Sequence, residues 1–177
     1  MPKQESSTSA EAQLASYFKR YEPAMAKLGK ALRARLRARL PGLSEVVYLY
    51  ENQEALVIAY SPTENGYEGL FSISLQPSLV KLFFTQGPQL AKSDPNRLLQ
   101  GSGKQVRYVV LSSAADLDRP EIEALIASAL KLAKLQPDPQ AKGAVIIKAE
   151  AQKQRALRAK KKTARPAAPR ATKKPRR

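Results

Sequence analysis

The sequence predicts an α+β fold: about five strands in a mainly antiparallel sheet, N-terminal and C-terminal helices on one face of it, and a disordered basic C-terminal tail. Three observations carry this. Apolar residues recur at threes and fours before position 41 and again after position 117. Between those stretches apolar and polar residues alternate in short runs separated by turns. Beyond position 140 the chain shifts to Ala, Pro, Lys and Arg. Helices segregated from an antiparallel meander pack on one side of it.

The elements follow in order. Residues 1–8 form a polar stretch expected to be a flexible leader. Thr8 and Glu11 have the spacing of a capping box, which predicts a helix start there with Leu14, Ala15 and Phe18 on one face. Pro23 suits the first turn of a second helix running to about Leu40, whose stripe is Met25, Leu28, Leu32, Leu36 and Leu40. Pro41-Gly42 ends it.

The strand block begins with Val46–Tyr50, a turn at 51–53, and Ala55–Tyr60. Asn65-Gly66 marks the next turn, because this pair tolerates positive φ. Phe71, Ile73 and Leu75 alternate with serines, and Val80, Leu82 and Phe84 alternate in a fourth run. A long loop is expected from Thr85 to Lys104, then a fifth strand with Val106, Tyr108 and Val110. Asp118 and Glu121 have capping-box spacing for the last helix, whose stripe is Ile122, Leu125, Ile126, Ala129 and Ala133. The domain is expected to span 9–140 and the tail 141–177. Val145, Ile146 and Ile147 either add an edge strand or dock on the domain, and Lys148–Lys162 suits a nascent helix before disorder sets in.

Charge divides the chain unevenly. The net charge is +16 over 177 residues. Lys142–Arg177 holds 14 basic residues and one acidic, Glu150, whereas the preceding 141 hold 17 and 14. The tail is thus at +13 and the remainder at +3. Such an excess selects a polyanionic partner. Cysteine and histidine are both absent. Thiol chemistry, Cys- or His-ligated metals and histidine acid–base catalysis are therefore excluded. No run of apolar residues is long enough to span a bilayer, and the first ten residues lack the apolar core of a secretory signal. A cytoplasmic, possible nucleoid-associated location is expected.

Several constellations have both a chemical and a bland interpretation. In the tail, Lys160, Lys161, Lys162, Arg165, Arg170, Lys173, Lys174, Arg176 and Arg177 can each neutralise a phosphate, or can simply solubilise the chain. No aromatic follows Tyr108, so stacking within the tail is excluded and sequence preference should be weak. Arg33, Arg35, Arg37 and Arg39 alternate with apolar residues, and six basic residues without an acidic one lie between Lys27 and Arg39. Arg33 and Arg37 could extend the phosphate-facing surface, or the stripe could be a solvated helix face. Gly101-Ser-Gly-Lys104 fails as a P-loop, because Leu98 and Gln105 stand where glycine and Ser or Thr are required. It suits a tight turn, or a small anion site of Arg97, Lys104 and Arg107. Tyr48, Tyr50, Tyr60 and Tyr108 lie on expected strands, either packing or stacking a base. Glu45, Glu51 and Glu54 flank a turn and suit solvation better than acid–base work.

The block Tyr48–Leu130 resembles the YdhG-like domain family of bacteria, long of unknown function. The resemblance lies in Ala59-Tyr-Ser-Pro-Thr-Glu64, Leu70-Phe-Ser-Ile-Ser-Leu75, Val80-Lys-Leu-Phe-Phe84, Gln86-Gly87, Asp94–Lys104, Val106-Arg-Tyr108 and Asp116–Glu121, in the family's order over about half the chain. Members often carry His where this chain has Tyr108. The resemblance implies a compact α+β domain and little about activity. One member is described as a frataxin-like iron chaperone, so it implies an iron or small-ligand carrier as the alternative function. Frataxins hold iron on an acidic first-helix ridge, and the basic stretch 27–39 offers none. The expectation is a non-enzymatic protein without a cofactor or bound metal that associates non-specifically with nucleic acid through its tail.

Overall fold

The computed structural model describes the backbone of residues 3–148 and the side chains of residues 9–148. The described residues form four helices and six strands in the order α1 (Lys3–Phe18), α2 (Pro23–Arg39), β1 (Ser44–Tyr50), β2 (Ala55–Ser61), β3 (Phe71–Leu75), β4 (Val80–Phe84), the one-turn α3 (Gly87–Leu90), β5 (Arg107–Leu111), α4 (Pro120–Leu132) and β6 (Val145–Ile147). The sheet order is β5-β4-β3-β2-β1-β6. β1 to β5 form an antiparallel meander, and β6 runs parallel to β1 at the far edge.

The α+β architecture agrees with the sequence reading, and the sheet differs from it in two respects. It has six strands, and it is mixed. β6 is the apolar cluster 145–147, which takes the edge-strand alternative. Its ladder is anchored at both ends: the Glu45 N–H donates to the Ala144 carbonyl at 2.8 Å, and the Lys148 N–H donates to the Val47 carbonyl at 2.8 Å. Gly143 permits this approach, since a Cβ there would collide with the Leu43 carbonyl oxygen. The folded chain therefore extends past position 140, where the sequence placed the domain's end.

One face of the sheet carries the core. The register aligns Val47, Ile58, Ile73, Leu82 and Val109 in one row across five strands, and Leu49, Leu56, Leu75, Val80 and Leu111 in another. Leu14 and Phe18 of α1, Leu32 and Leu36 of α2, and Ile122 and Leu125 of α4 close over these rows and are at most 2% exposed. Burying each such side chain contributes about 1.5–3 kcal/mol. Gly29 of α2 lets the helix settle close, with Phe18 and Leu75 where a side chain would otherwise be.

Several local expectations are corrected. α1 begins at Lys3, so residues 3–8 are its first turns and Thr8 lies inside the helix, five residues from its start. Asp118 does not cap α4: the N-cap is Arg119, with Pro120 in the first turn. Proline pre-sets the helical φ there and needs no N–H partner, which leaves the Asp118 carboxylate free for other partners. Asn65-Gly66 makes no positive-φ turn; Asn65 starts a 3-10 turn at φ −98° and its Oδ1 accepts from the Tyr67 N–H at 3.2 Å. The stretch 85–104 holds α3 and a 3-10 turn at Ala91–Ser93, tied down by fully buried Leu90.

Among the described residues, no helix packs on the opposite face of the sheet. Tyr48 and Tyr50 of β1 share it with Phe83 of β4 and Tyr108 of β5. The small side chains of Ala59, Ser72 and Ser74 lie between the two aromatic groups.

Candidate nucleic-acid interface

The nine tail residues from Lys160 to Arg177 lie outside the described residues. The described part of the candidate interface begins with the arginines of α2. These stand two residues apart on a helix of 3.6 residues per turn, so they fan around it and meet carboxylates from α1, β1, the turn before α4 and α4 itself.

Arg33 points inward. Its side chain is 15% exposed and it grips Glu45, which is 3% exposed in its side chain. Nε donates to Glu45 Oε1 at 3.0 Å and Nη2 to Oε2 at 2.5 Å, a bidentate pair. The same Nη2 also donates to Glu11 Oε1 at 2.8 Å. Arg37 Nη1 donates to Glu11 Oε1 at 2.8 Å, and its Nε lies 3.7 Å from Glu45 Oε2. Two arginines and two glutamates thus tie α2 to α1 and β1. Hydrogen bonding from Arg33 holds the Glu11 carboxyl below its ordinary range against partial desolvation. Burial works against the Arg33 charge, but its bonds to Glu11 and Glu45 prevail and keep the guanidinium charged.

Arg35 and Arg39 turn the other way. Arg35 pairs with Asp118. Arg39 donates to Asp118 Oδ1 at 2.6 Å, to Glu123 Oε1 at 2.9 Å and to the Leu117 carbonyl at 2.5 Å. These bonds lock α2 to the start of α4. Every arginine of the stripe therefore has a carboxylate partner, so Arg33 and Arg37, read from the sequence as phosphate contacts, are engaged within the fold.

The lysines of α2 differ. Lys27 and Lys30 line an open cleft of about 450 Å³ with Lys19, Phe18 and Tyr21, and no acidic side chain lines it. The Lys30 ammonium lies 5.8 Å from the centre of the Phe18 ring. A second cleft of about 530 Å³ lies between the end of α1 and the β1–β2 hairpin and contains Glu22, Glu51 and Glu54 with Arg20. Glu45 is not near this group in role: it is buried against Arg33, whereas Glu51 and Glu54 are exposed.

The three cations of the suggested anion site have separate duties. Arg107 donates to the carbonyls of Gly103 and Val106 and so closes its own loop. Arg97 and Lys104 are exposed, and Arg97 adopts a left-handed φ of 50°. Asp94, 7% exposed, organises the segment by accepting from the Leu99 N–H at 2.8 Å. This buried carboxylate gives the 94–104 loop a structural anchor that the sequence did not single out.

Tyr60 separates from the other strand tyrosines. It is buried on the helix side at 1% exposure, beside Glu45, and its hydroxyl makes no hydrogen bond of good geometry among the described residues. Burial and then the Glu45 charge push its ionisation well above 10. Among the described residues no group of three or more His, Cys, Asp or Glu could hold a metal ion, and no helix is long and apolar enough to cross a membrane.

No protein-family model, no curated protein and no solved structure matches the chain. The YdhG-like resemblance rests on the residues quoted for it above.

Proposed function

We propose that this is a non-enzymatic protein of YdhG-like type that associates non-specifically with nucleic acid through its C-terminal polycation. The carrying observation is the charge split: residues 149–177 hold twelve basic residues and one acidic. Cations without nearby carboxylates release counterions from phosphates on binding. The arginines of α2 support the same reading by contrast, because their charge is spent on Glu11, Glu45, Asp118 and Glu123.

The test compares the full chain with one ending at Lys148 in gel shifts on duplex DNA and on single-stranded oligonucleotides. Lys148 is the right end point because a chain ending at Gln140 would lose β6 and open the edge of β1. Binding by the full chain at low salt, lost on truncation, is the expected result. Equal binding by the two would overturn the reading.

A further inference from the structure

The face of the sheet opposite the core has an aromatic pattern the tail's charge does not explain. Tyr48 and Tyr50 stack with ring centres 6.1 Å apart and planes 25° apart. Tyr67 extends this end: it is 83% exposed, and its neighbour Gly66 lies against the Tyr48 hydroxyl. Three and four strands away, Phe83 and Tyr108 pack with ring centres 5.4 Å apart. At ~4.8 Å per strand, the two groups stand roughly 14–19 Å apart. The Lys81 ammonium lies 4.6 Å over the Tyr108 ring.

The strand positions of this face hold no acidic side chain. Tyr48 and Tyr50 on β1, Lys81 and Phe83 on β4 and Tyr108 on β5 are partly exposed there and Val110 is exposed, whereas Val46, Ala59 and Ser74 are buried. Partly solvent-exposed rings suit the π-faces of bases, and at Tyr108 a cation lies beside the ring, whereas Tyr50 borders the cleft that holds Glu22, Glu51 and Glu54.

The polycation starts at the same place. β6 ends beside β1, with Lys148 bonded to the Val47 carbonyl, and its register continues Lys148 next to Tyr48. The 29 residues that follow Lys148 in sequence are thus joined to the fold at the edge where the aromatic face begins. Phosphates gathered there bring their bases onto the sheet.

We infer that the face of the sheet opposite the core is a stacking platform for the bases of single-stranded nucleic acid, with Tyr48, Tyr50 and Tyr67 as one station and Phe83 and Tyr108 as the other. This rests on the nucleic-acid reading above and adds a preference that the tail alone does not supply. Duplex DNA hides its base faces, so only the single strand benefits from the platform.

The test uses the full chain and its variants Tyr67→Ala, Tyr108→Leu and Tyr108→Phe. Fluorescence anisotropy would compare a labelled mixed-sequence single strand with the matching duplex at one salt concentration. Removing a ring should weaken single-strand binding about tenfold. Duplex binding and the salt slope should hold, since no phosphate contact is lost, and Tyr108→Phe should bind like the unaltered chain. Tyr67→Ala guards against misfolding, because its ring is 83% exposed and supports nothing beneath it. Equal loss on duplex and single strand, or no loss in either Tyr67→Ala or Tyr108→Leu, overturns the platform while leaving the tail reading intact. Failure of the full chain to bind either nucleic acid at low salt overturns both.

Discussion

The arginine stripe of α2 and the C-terminal tail look alike as sequence and differ in what they can do. Both are basic runs interleaved with alanine. In α2, the fold brings Glu11, Glu45, Asp118 and Glu123 against the four arginines, from positions between 8 and 84 residues away along the chain. In 149–177 a single acid, Glu150, accompanies twelve bases. A basic residue is an available phosphate ligand only when nothing nearer claims it. The same charge pattern thus serves as internal fastening in one place and as a candidate docking element in the other.

The sharpest way to break that comparison is to remove the tail. If it engages six to ten phosphates, affinity of the full chain for DNA should fall about 10³–10⁵-fold between 50 and 200 mM salt. A chain ending at Lys148 should show neither that affinity nor that slope, as a salt titration would reveal. Binding that survives truncation would mean the domain has free cations after all, and Lys19, Lys27 and Lys30 in their carboxylate-free cleft would be the next to substitute.

Removing a carboxylate from the fastening should act on stability instead. Glu45→Ala leaves Arg33, whose side chain is 15% exposed, with only Glu11 beside it. Breaking a buried pair from one side costs about 3 kcal/mol. Urea denaturation should show that loss, while DNA affinity at low salt stays unchanged. A change in affinity without a change in stability would reverse the assignment of Arg33.

Acid should loosen the same fastening. The Glu11 carboxyl sits below its ordinary 4.5 because Arg33 donates to it, against partial burial. A carboxyl lowered by folding stabilises the fold above its unfolded value, and that contribution is lost as pH falls through its folded value. Asp116 adds in the same direction: burial opposes its charge, but N–H groups of Ser113 and Ser112 hold it below 3.8. Thermal melts from pH 7 down to pH 3 should therefore show falling stability below about pH 4.5, and Glu11→Gln should flatten that fall.

The smallest effect is expected at the rim. Arg35 and Asp118 are 43% and 48% exposed in their side chains, and exposed pairs contribute about 0–1 kcal/mol. Arg35→Ala should shift the denaturation midpoint little and leave DNA binding alone. A large drop in affinity would show that Arg35 faces phosphate in solution rather than Asp118.

Most of the scaffold could be read without coordinates because its signals are local. The stripe of α2, the alternation in β3 and β4 and the Pro23 helix start all lie within a few residues of one another. Where local signals competed, they misled. Thr8 and Glu11 have capping-box spacing, yet α1 starts at Lys3 and Glu11 serves Arg33 and Arg37 instead. Asp118 has the right offset from Glu121, yet its carboxylate goes to Arg35 and Arg39 and Pro120 starts the helix. In both cases the carboxylate that local spacing offers to a backbone N–H pairs instead with a guanidinium distant in sequence, a bond in which both partners are charged.

The sequence by itself determined the order of the two N-terminal helices, the five-stranded meander and the last helix, and the charge asymmetry between domain and tail, since each depends on periodicity or composition over short stretches; it misplaced part of the α1 face, where Ala15 is exposed and Tyr17 buried. Tertiary structure alone decided that β6 joins β1 in parallel, that Glu45 is buried against Arg33, and that Tyr48, Tyr50, Phe83 and Tyr108 share a face while Tyr60 lies on the other. Those outcomes depend on register across strands and on contacts between residues distant in sequence. Side-chain parity assigns a face only once the pairing is known, and a carboxylate finds its arginine only when the chain has folded.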